Sequence, residues 1–325
     1  MKAFKHFNAR TVEEAAELLS RYAGKAAVIA GGTDLLGKMK DRILPDYPEA
    51  LVNIKTIPGL DKIEEDGGEL RIGALARLHD VTVNETVARR YTALSMAAGR
   101  AASPNLRHLG TIGGNVCQDI RCWYYRSPDN RFSCLRKGGG RCYAIKGDNR
   151  YHSIFGGSVE GGCYAVHPGD VAPALVALNA KVITNKRTLA VEDFFQVKPS
   201  GTTVLRYDEI LHELRLPTPE AGAVSSFVKF SQRKSIDFPV VNCAVVLLLS
   251  GGKVAGARVC MNAVSVTPRR ARESEEALRG QPVNEETAEK AGAAAVAGAK
   301  PLEHNRYIVQ IARTMVKRAV LACGE

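Results

Sequence analysis

The segment from Thr111 to Asp170 restricts the possible folds of this chain more than any other feature. It holds five of the chain's eight cysteines within 47 positions: Cys117, Cys122, Cys134, Cys142 and Cys163. Glycines recur between them, at Gly138, Gly139, Gly140, Gly156, Gly157, Gly161 and Gly162. So many glycines oppose a helix or a regular sheet. We therefore expect a cross-link to hold the segment in shape: disulfides, a zinc ion or an iron–sulfur cluster.

The start of the chain bears on the choice between disulfides and metal. Residues 1–10, MKAFKHFNAR, contain neither the apolar stretch nor the cleavage site of a secretory signal. The longest apolar run, from Cys243 to Leu249, is too short to span a bilayer. We therefore expect a cytoplasmic protein without a membrane span, whose thiols are kept reduced. This expectation favours a bound metal over disulfides.

The cysteine spacing favours an iron–sulfur cluster over zinc. Successive cysteines are separated by 4, 11, 7 and 20 residues. Structural zinc sites usually pair their cysteines two to four residues apart, and only the first pair here fits that pattern. Iron–sulfur clusters tolerate wider spacing. Zinc and unliganded thiols remain alternatives, and one of the five cysteines is surplus to a four-ligand site.

Basic residues are concentrated around these cysteines. The chain has a net charge of +11, and residues 119–150 carry eight Arg or Lys against three Asp. Aromatic residues accompany them at Trp123, Tyr124 and Tyr125, but no recognised nucleic-acid module does, so we expect no nucleic-acid partner. The charges fit a role in offsetting an anionic cluster or in docking an acidic electron carrier. A solvated surface loop is the simpler alternative.

Two diglycine segments mark a candidate nucleotide site. A capping box at Thr11–Glu14 predicts a helix over 12–23, and a strand over 26–30 then runs into Gly31-Gly32 and a second helix. Residues 109–115 form a second diglycine loop. The chain has neither GxGxxG after a strand nor a P-loop, so a bound dinucleotide needs another architecture. The turn at Gly31-Gly32 is explained equally well as a tight strand-to-helix connection that binds no ligand.

The remaining elements predict a mixed architecture. We expect strands over 51–54 and 69–74, a helix over 84–99, and a strand over 211–216 that ends at a domain boundary. Three strands over 225–264 form a hairpin-linked antiparallel sheet, followed by helices over 285–299 and 304–323. These elements make an α+β lobe, in whose core we place Cys243, Cys260 and Cys323.

Four motifs resemble the FAD-binding subunits of the molybdenum hydroxylases: AGGTDLL at 30–36, TIGGN at 111–115, GDVAPAL at 169–175 and KFSQRKSIDFP at 229–239. Relatives include the flavin domains of xanthine dehydrogenase and carbon monoxide dehydrogenase. The resemblance implies an α+β fold. It also implies a p-cresol methylhydroxylase-type FAD-binding domain of two α/β subdomains, followed by a C-terminal antiparallel sheet plus helices of the CO dehydrogenase flavoprotein type. The expected domains are 1–55, 56–218 with a cysteine-rich insertion at about 117–165, and 222–325.

The insertion adds a narrower resemblance. GGNVCQDIRCWYY and the later cysteine contexts are similar to the β subunits of 4-hydroxybenzoyl-CoA reductases, which carry an additional [4Fe-4S] cluster. By this resemblance the cluster ligands are Cys122, Cys134, Cys142 and Cys163. Cys117 is the surplus thiol beside the second glycine loop.

The family resemblance also implies which residues bind FAD. The first loop wraps the pyrophosphate with Ile29, Ala30, Gly31, Gly32, Thr33, Asp34, Leu35 and Leu36. The second site region supplies Ala101, Thr111, Gly114, Asn115 and Gln118. Asp170 is expected at the adenosine or its ribose, and Lys229 and Phe238 at the isoalloxazine. No residue of this chain is expected to be catalytic.

The implied function is electron transfer within a larger oxidoreductase. Electrons pass from reduced ferredoxin to the cluster, to FAD, to a small subunit with two [2Fe-2S] clusters, and to a large molybdopterin-binding subunit that removes the phenolic hydroxyl of 4-hydroxybenzoyl-CoA. The chain is expected to work in a hetero-oligomer, a dimer of heterotrimers, and not to act on substrate alone. One alternative is the flavin subunit of a hydroxylase for another aromatic, purine or aldehyde substrate. Another is a zinc-stapled binding protein without redox activity.

Overall fold

Three lobes follow one another along the chain in a computed structural model that describes residues 1–157, 162–198 and 201–324. Gly161 lies outside these described residues. The first lobe is a parallel sheet in the order β1-β3-β2. It has a βαβαβ order: β1 (Lys5–Asn8), α1 (Val12–Arg21), β2 (Ala26–Ile29), α2 (Leu35–Lys40) and β3 (Ala50–Asn53).

The N-terminal cap of α1 shows how local sequence determines where a helix of this lobe begins. The hydroxyl of Thr11 accepts a 3.1 Å hydrogen bond from the backbone N–H of Glu14, as the capping box predicts. The carboxylate of Glu14 reaches the N–H of Arg10, one residue before the expected position. The apolar face of α1, with Ala15, Leu18 and Leu19, packs into the lobe's core.

The second lobe is built on an antiparallel five-stranded sheet in the order β4-β5-β10-β6-β7. Its first half comprises β4 (Ile63–Asp66), β5 (Glu69–Gly73), α3 (Leu78–Val83), α4 (Glu85–Arg90), α5 (Thr92–Gly99), α6 (Pro104–Arg107) and α7 (Ile112–Val116). Its second half comprises α8 (Val171–Ala177), β6 (Lys181–Thr184), β7 (Thr188–Ala190), α9 (Val191–Phe194), β8 (Phe195–Lys198), β9 (Gly201–Thr203) and β10 (Leu211–Pro217).

Two sequence-based expectations for this lobe are wrong in detail. The single helix over 84–99 is two helices, because fully buried Tyr91 adopts a non-helical φ of −127° and ψ of 48° between α4 and α5. The second diglycine segment is not a loop throughout. Thr111 caps α7, and both glycines lie inside that short helix.

The third lobe is an antiparallel sheet in the order β11-β12-β13-β14 with helices packed against it. Its elements are β11 (Ala223–Phe230), β12 (Val241–Ser250), β13 (Lys253–Asn262), β14 (Arg269–Arg270), α10 (Arg272–Leu278), α11 (Glu285–Val296) and α12 (Tyr307–Leu321). This is the expected α+β lobe. Cys243, Cys260 and Cys323 are buried in it or at its contact with the second lobe, as predicted.

The cysteine insertion, residues 117–165, contains only two short 3-10 turns, Pro128–Asn130 and Leu135–Lys137, among its described residues. Its last part packs against the third lobe. Ile154 is fully buried in that lobe's core, and the side-chain amide of Asn305 donates to the carbonyls of His152 and Ser153. The insertion is therefore anchored to the third lobe as well as to the second lobe, from which it leaves after α7.

Candidate functional site

The first glycine loop lies at the carboxyl end of β2, where parallel sheets commonly bind ligands. A Cβ atom on Gly31 would lie 2.2 Å from the carbonyl oxygen of Leu109, so only glycine permits this approach. Gly32 has a φ of +72°, which also favours glycine. The two glycines thus allow the loop to reach the segment that precedes α7.

The second glycine segment packs as closely. A Cβ atom on Gly113 would lie 2.8 Å from both the Cβ and the carbonyl oxygen of Ala74. The backbone N–H of the next residue, Gly114, donates a 3.1 Å hydrogen bond to the hydroxyl of Thr111. Gly114 itself is exposed towards the space between the two segments. Gly113 therefore packs closely against Ala74, while the backbone of Gly114 faces a cleft.

This space, which we call the glycine cleft, consists of two adjoining cavities of about 250 and 300 Å³. Both are lined by Thr33, Asp34, Thr111, Gly114 and Gln118. The first cavity adds Ile29, Ala30, Gly31, Gly32 and Leu35, and the second adds Ala101, Asn115, Asp170 and Phe238. Leu36 lines a third cavity, of about 450 Å³, which also borders the first glycine loop. The structure thus brings most of the expected FAD residues together.

The lining of the cleft suits a nucleotide. Asn115 lines the second cavity, and its side-chain oxygen is buried without a hydrogen-bond partner in the described part of the chain. Buried polar atoms normally have partners, so this side chain holds an unpaired acceptor next to the cavity. The glycine backbones allow a diphosphate to come close to main-chain N–H groups. The residues present therefore fit FAD.

Asp170 and Lys229 form an ion pair at one end of the cleft. Nζ of Lys229 lies 2.8 Å from one carboxylate oxygen, and the side-chain amide of Asn242 donates to the other at 2.8 Å. Both charged side chains are almost fully buried. Burial raises the pKa of Asp170, although Lys229 opposes this shift. Asp170, expected at the adenosine or its ribose, is thus in direct contact with Lys229, expected at the isoalloxazine.

Four cysteines of the insertion line one small cavity of about 20 Å³, the cysteine cavity. They are the expected ligands Cys122, Cys134, Cys142 and Cys163. Burial raises the pKa of the Cys122 thiol to about 12 and that of Cys163 to about 11. Cys117 stands apart and lines the glycine cleft. None of the eight cysteines, all of which lie in the described residues, is joined to another by a disulfide, so the disulfide alternative has no support.

The cysteine cavity brings together the thiol groups that either metal alternative requires. A zinc ion takes four ligands around one atom, and a [4Fe-4S] cluster takes four thiolates on separate irons. Across residues 1–157, 162–198 and 201–324, no three His, Cys, Asp or Glu side chains form a group that could hold a metal ion. The four cysteines share only the lining of one cavity.

Aromatic rings engage many of the basic residues around the cysteines. Arg131 lies over Phe132, Arg141 over Tyr143, and Arg150 over Trp123. Arg121 lies 4.3 Å from the ring centroid of Phe238, which lines the glycine cleft. Cation–π contacts of this kind stabilise a segment poor in apolar residues. The interleaved charges and rings thus contribute to the internal packing of the insertion, a role that its sequence pattern did not suggest.

A buried carboxylate connects the insertion to the first glycine loop. Asp119 accepts hydrogen bonds from Nζ of Lys38 at 3.0 Å and from the hydroxyl of Tyr125 at 2.6 Å. Burial alone would raise the pKa of Asp119, but Lys38, Tyr125 and two arginines outweigh it and lower the pKa to about 2. The backbone N–H of Asp119 also donates to the carboxylate of Asp34.

Sequence reasoning missed this network. Its members, Asp34, Lys38, Asp119, Tyr125 and Arg126, fall in two groups separated by about 80 positions, and no motif joins the groups. His152, whose ring contacts Cys122 from 30 positions away within the insertion, was missed as well. The only signal in the sequence is the concentration of charged and aromatic residues beside the cysteines.

Comparison with known proteins identifies the family. The family described as FAD binding domain in molybdopterin dehydrogenase matches residues 2–219, and the CO dehydrogenase flavoprotein C-terminal domain matches residues 226–323. The chain belongs to the FAD-binding medium subunits of the molybdenum hydroxylases. As a member, it is an oxidoreductase subunit with FAD as cofactor, and the fold expected from the four motifs is confirmed.

Two curated relatives illustrate the similarity. The FAD-binding subunit of an aldehyde oxidoreductase from Escherichia coli (strain K12) is 37% identical over 265 residues, covering 78% of this chain and 81% of the relative. The medium chain of carbon monoxide dehydrogenase from Hydrogenophaga pseudoflava is 29% identical over 330 residues, covering 98% and 96%.

A solved structure has a similar fold. It is carbon monoxide dehydrogenase from Hydrogenophaga pseudoflava, in a form that lacks the Mo-pyranopterin moiety of the molybdenum cofactor. A chain of that structure matches the present chain with a TM-score of 0.78 at 27% identity. The match covers 99% of this chain and 98% of that one. Among the residues that the structure describes, no helix has both the length and the apolar character needed to cross a membrane.

Proposed function

We propose that this chain is an electron-transfer subunit that carries both FAD and a [4Fe-4S] cluster within a molybdenum-containing oxidoreductase. The observation that carries the proposal is the convergence of Cys122, Cys134, Cys142 and Cys163 on one cavity. They are separated by 11, 7 and 20 residues along the chain, and a shared ligand explains why all four line the same cavity. FAD exchanges two electrons and the cluster one at a time, while the polypeptide positions both.

The FAD site of this proposal is the glycine cleft. The loop from Ile29 to Leu36, together with Thr111, Gly114 and Gln118, would hold the diphosphate and its neighbouring groups through main-chain and side-chain donors. Ala101 and Phe238 would border the ring system at the end where Asp170 and Lys229 pair. These residue roles extend the family's FAD binding to individual positions of this chain.

On this proposal the insertion holds the two cofactors near each other, and two sets of contacts support it. Arg121 adjoins the ligand Cys122 and stacks on Phe238, so a single residue spans from the cysteine segment to the glycine cleft. The network around Asp119 makes a second connection between the insertion and the cleft. Such proximity suits transfer of electrons between a cluster and a flavin without a mobile carrier.

The partners follow from the family. Relatives are named as medium chains or as FAD-binding subunits, so each is one component of a larger enzyme. We propose a large molybdopterin-binding subunit, a small subunit with two [2Fe-2S] clusters, a ferredoxin as external carrier, and assembly as a dimer of heterotrimers. On this proposal the isolated chain does not turn over substrate.

Two substrate classes deserve testing. The cysteine segment resembles that of 4-hydroxybenzoyl-CoA reductases, which supports reductive dehydroxylation with electrons flowing from ferredoxin to molybdenum. The 37% identity with the FAD-binding subunit of an aldehyde oxidoreductase favours a second candidate, oxidation of an aldehyde with electrons flowing the other way.

One purification tests the whole proposal. The native complex, isolated through a tag on this chain, should contain a large and a small partner and molybdenum. The separated chain should contain about four irons, four sulfides and one FAD. Zinc in place of iron would contradict the cluster. Assays of the complex with an aromatic aldehyde and an artificial acceptor, and with 4-hydroxybenzoyl-CoA and reduced ferredoxin, then decide between the two substrates.

A further inference from the structure

His152 is fixed against one of the proposed cluster ligands. Its Nε2 atom lies 3.2 Å from Sγ of Cys122, and the residue is only 1% exposed. The backbone N–H of His152 donates to the carbonyl of Asn149, and its carbonyl accepts from the side chain of Asn305. Contacts from the insertion and from the third lobe therefore hold the ring in place beside the sulfur.

The partners of the two ring nitrogens determine where the proton resides. Nδ1 of His152 is buried and has no hydrogen-bond partner among the described residues. A proton on Nδ1 would be a buried donor without an acceptor, whereas a proton on Nε2 points to Sγ of Cys122. A thiolate bound to iron can only accept a hydrogen bond. The geometry therefore favours the tautomer with its proton on Nε2, from which the N–H group can donate a hydrogen bond to the sulfur.

We propose that His152 is a positioning residue whose Nε2–H···Sγ hydrogen bond to Cys122 raises the reduction potential of the [4Fe-4S] cluster. The inference rests on the proposed function. A cluster held by Cys122 would gain negative charge on one-electron reduction, and the N–H dipole of His152 would stabilise that reduced form more than the oxidised form. The electron would come from the external carrier and pass to FAD, or follow the reverse route during substrate oxidation. His152 would act as a hydrogen-bond donor only, without transferring a proton.

The surroundings strengthen this hydrogen bond. The rings of Trp123 and Tyr124 lie 5.9 and 6.0 Å from the ring of His152, measured between centroids. They limit access of water to the contact, and a hydrogen bond is electrostatically stronger in such a low-dielectric setting. The donor therefore acts on a sulfur that has little solvent to compete with it.

The test compares two substitutions in the intact complex. His152→Leu removes the donor, while His152→Gln can place an amide N–H near the position of Nε2. Redox titration followed by EPR of the reduced cluster should give His152→Gln a potential close to wild type. His152→Leu should have a lower potential. At the midpoint potential of the wild-type cluster, the ratio of reduced to oxidised cluster in this variant should fall by roughly three- to tenfold, and a tenfold change corresponds to about 59 mV for one electron. The exposed His304→Leu is the control.

An unchanged potential in a His152→Leu protein with full iron content would overturn the inference. If His152→Leu loses its iron, wild-type protein labelled with ¹⁵N-histidine decides instead. Pulsed EPR of the reduced cluster should detect a histidine nitrogen that His152→Gln lacks. A wild-type spectrum without this coupling rules out the hydrogen bond. Absence of iron from wild type is a separate result, because it refutes the proposed function before any variant is made.

Discussion

Asp34 and Asp119 lie 85 positions apart, and the backbone N–H of Asp119 donates a 3.0 Å hydrogen bond to the carboxylate of Asp34. Arg126 pairs with the other oxygen of the same carboxylate at 2.7 Å. One side chain of the first glycine loop thus receives two contacts from the start of the cysteine insertion. The two proposed cofactor sites are physically joined.

Replacing Asp34 with alanine should therefore affect both sites. The substitution removes the acceptor of two hydrogen bonds, each involving a charged group and worth about 1.5–3 kcal/mol. We expect FAD affinity to fall about tenfold and iron to be released faster to a chelator. FAD titration by fluorescence and iron release by absorbance measure the two effects. The exposed Glu49→Gln serves as control, and weaker FAD binding with unchanged iron release would contradict the coupling.

Gly31→Ala should expel FAD. Its Cβ would lie 2.2 Å from the carbonyl of Leu109, so the loop or the segment before α7 has to move. Gly37→Ala is a matched control, because nothing lies within 4 Å of its Cβ and alanine favours the helix α2. Flavin content after purification is the readout. Normal FAD in Gly31→Ala would show that the close approach of the two segments is not needed.

Cys134→Ser should abolish the iron absorbance, since it removes one of four proposed ligands. The matched control is Cys117→Ser, because Cys117 lines the glycine cleft and stands apart from the cysteine cavity. That control should keep its iron. Iron and flavin are measured on the same samples, and FAD should persist in both variants. Full iron content in Cys134→Ser would remove this cysteine from the ligand set.

Asp119 should make stability depend on pH in acid. Its pKa is lowered from 3.8 to about 2, so its ionised form is stabilised by folding. The contribution of Asp119 to the free energy of unfolding is fully present above the pKa of this residue in the unfolded chain. It is lost as the pH falls from about 4 towards 2. It amounts to about 2 kcal/mol at neutral pH. Urea unfolding of wild type and Asp119→Asn should show a difference in the free energy of unfolding that narrows over this range. A difference independent of pH would refute the prediction.

Lys229→Met should destabilise the chain by about 3–5 kcal/mol, because it leaves the buried carboxylate of Asp170 without its cation. The double variant Lys229→Met with Asp170→Asn should recover part of the loss, since the buried charge is then absent. Denaturant unfolding measures both. Lys25 forms an exposed ion pair with Glu49, so Lys25→Met is the control and should have little effect on the free energy of unfolding. A Lys229→Met protein as stable as wild type would mean that Asp170 is protonated at neutral pH.

Local sequence signals were sufficient for much of the fold. The cap at Thr11, the turn at Gly31-Gly32 and the hairpin strands of the third lobe depend on residues close to one another in the chain. The break at Tyr91 did not show in the sequence because helical spacing continues across it. Tertiary packing of that buried ring decides the local backbone.

The site was predictable only in its parts. Motifs indicated the glycine loops and the four cysteines, but nothing in the chain order indicated that Asp170 contacts Lys229 or that Asp119 contacts Lys38. These pairs meet because separate lobes fold together, and a motif describes only one segment at a time. The charges of the insertion were similarly ambiguous, since an arginine over an aromatic ring has the same sequence pattern as an exposed one.

The fully buried Ile154 belongs to the cysteine insertion, yet it fills space in the core of the third lobe, and its carbonyl accepts a hydrogen bond from Lys300. Shortening the insertion to the length of a simple loop would therefore leave a cavity in the core of the third lobe. Loss of a buried isoleucine side chain lowers the free energy of unfolding by about 2–5 kcal/mol. Deleting the segment without loss of stability would therefore require compensating substitutions in a domain that carries none of the cysteines lining the cavity.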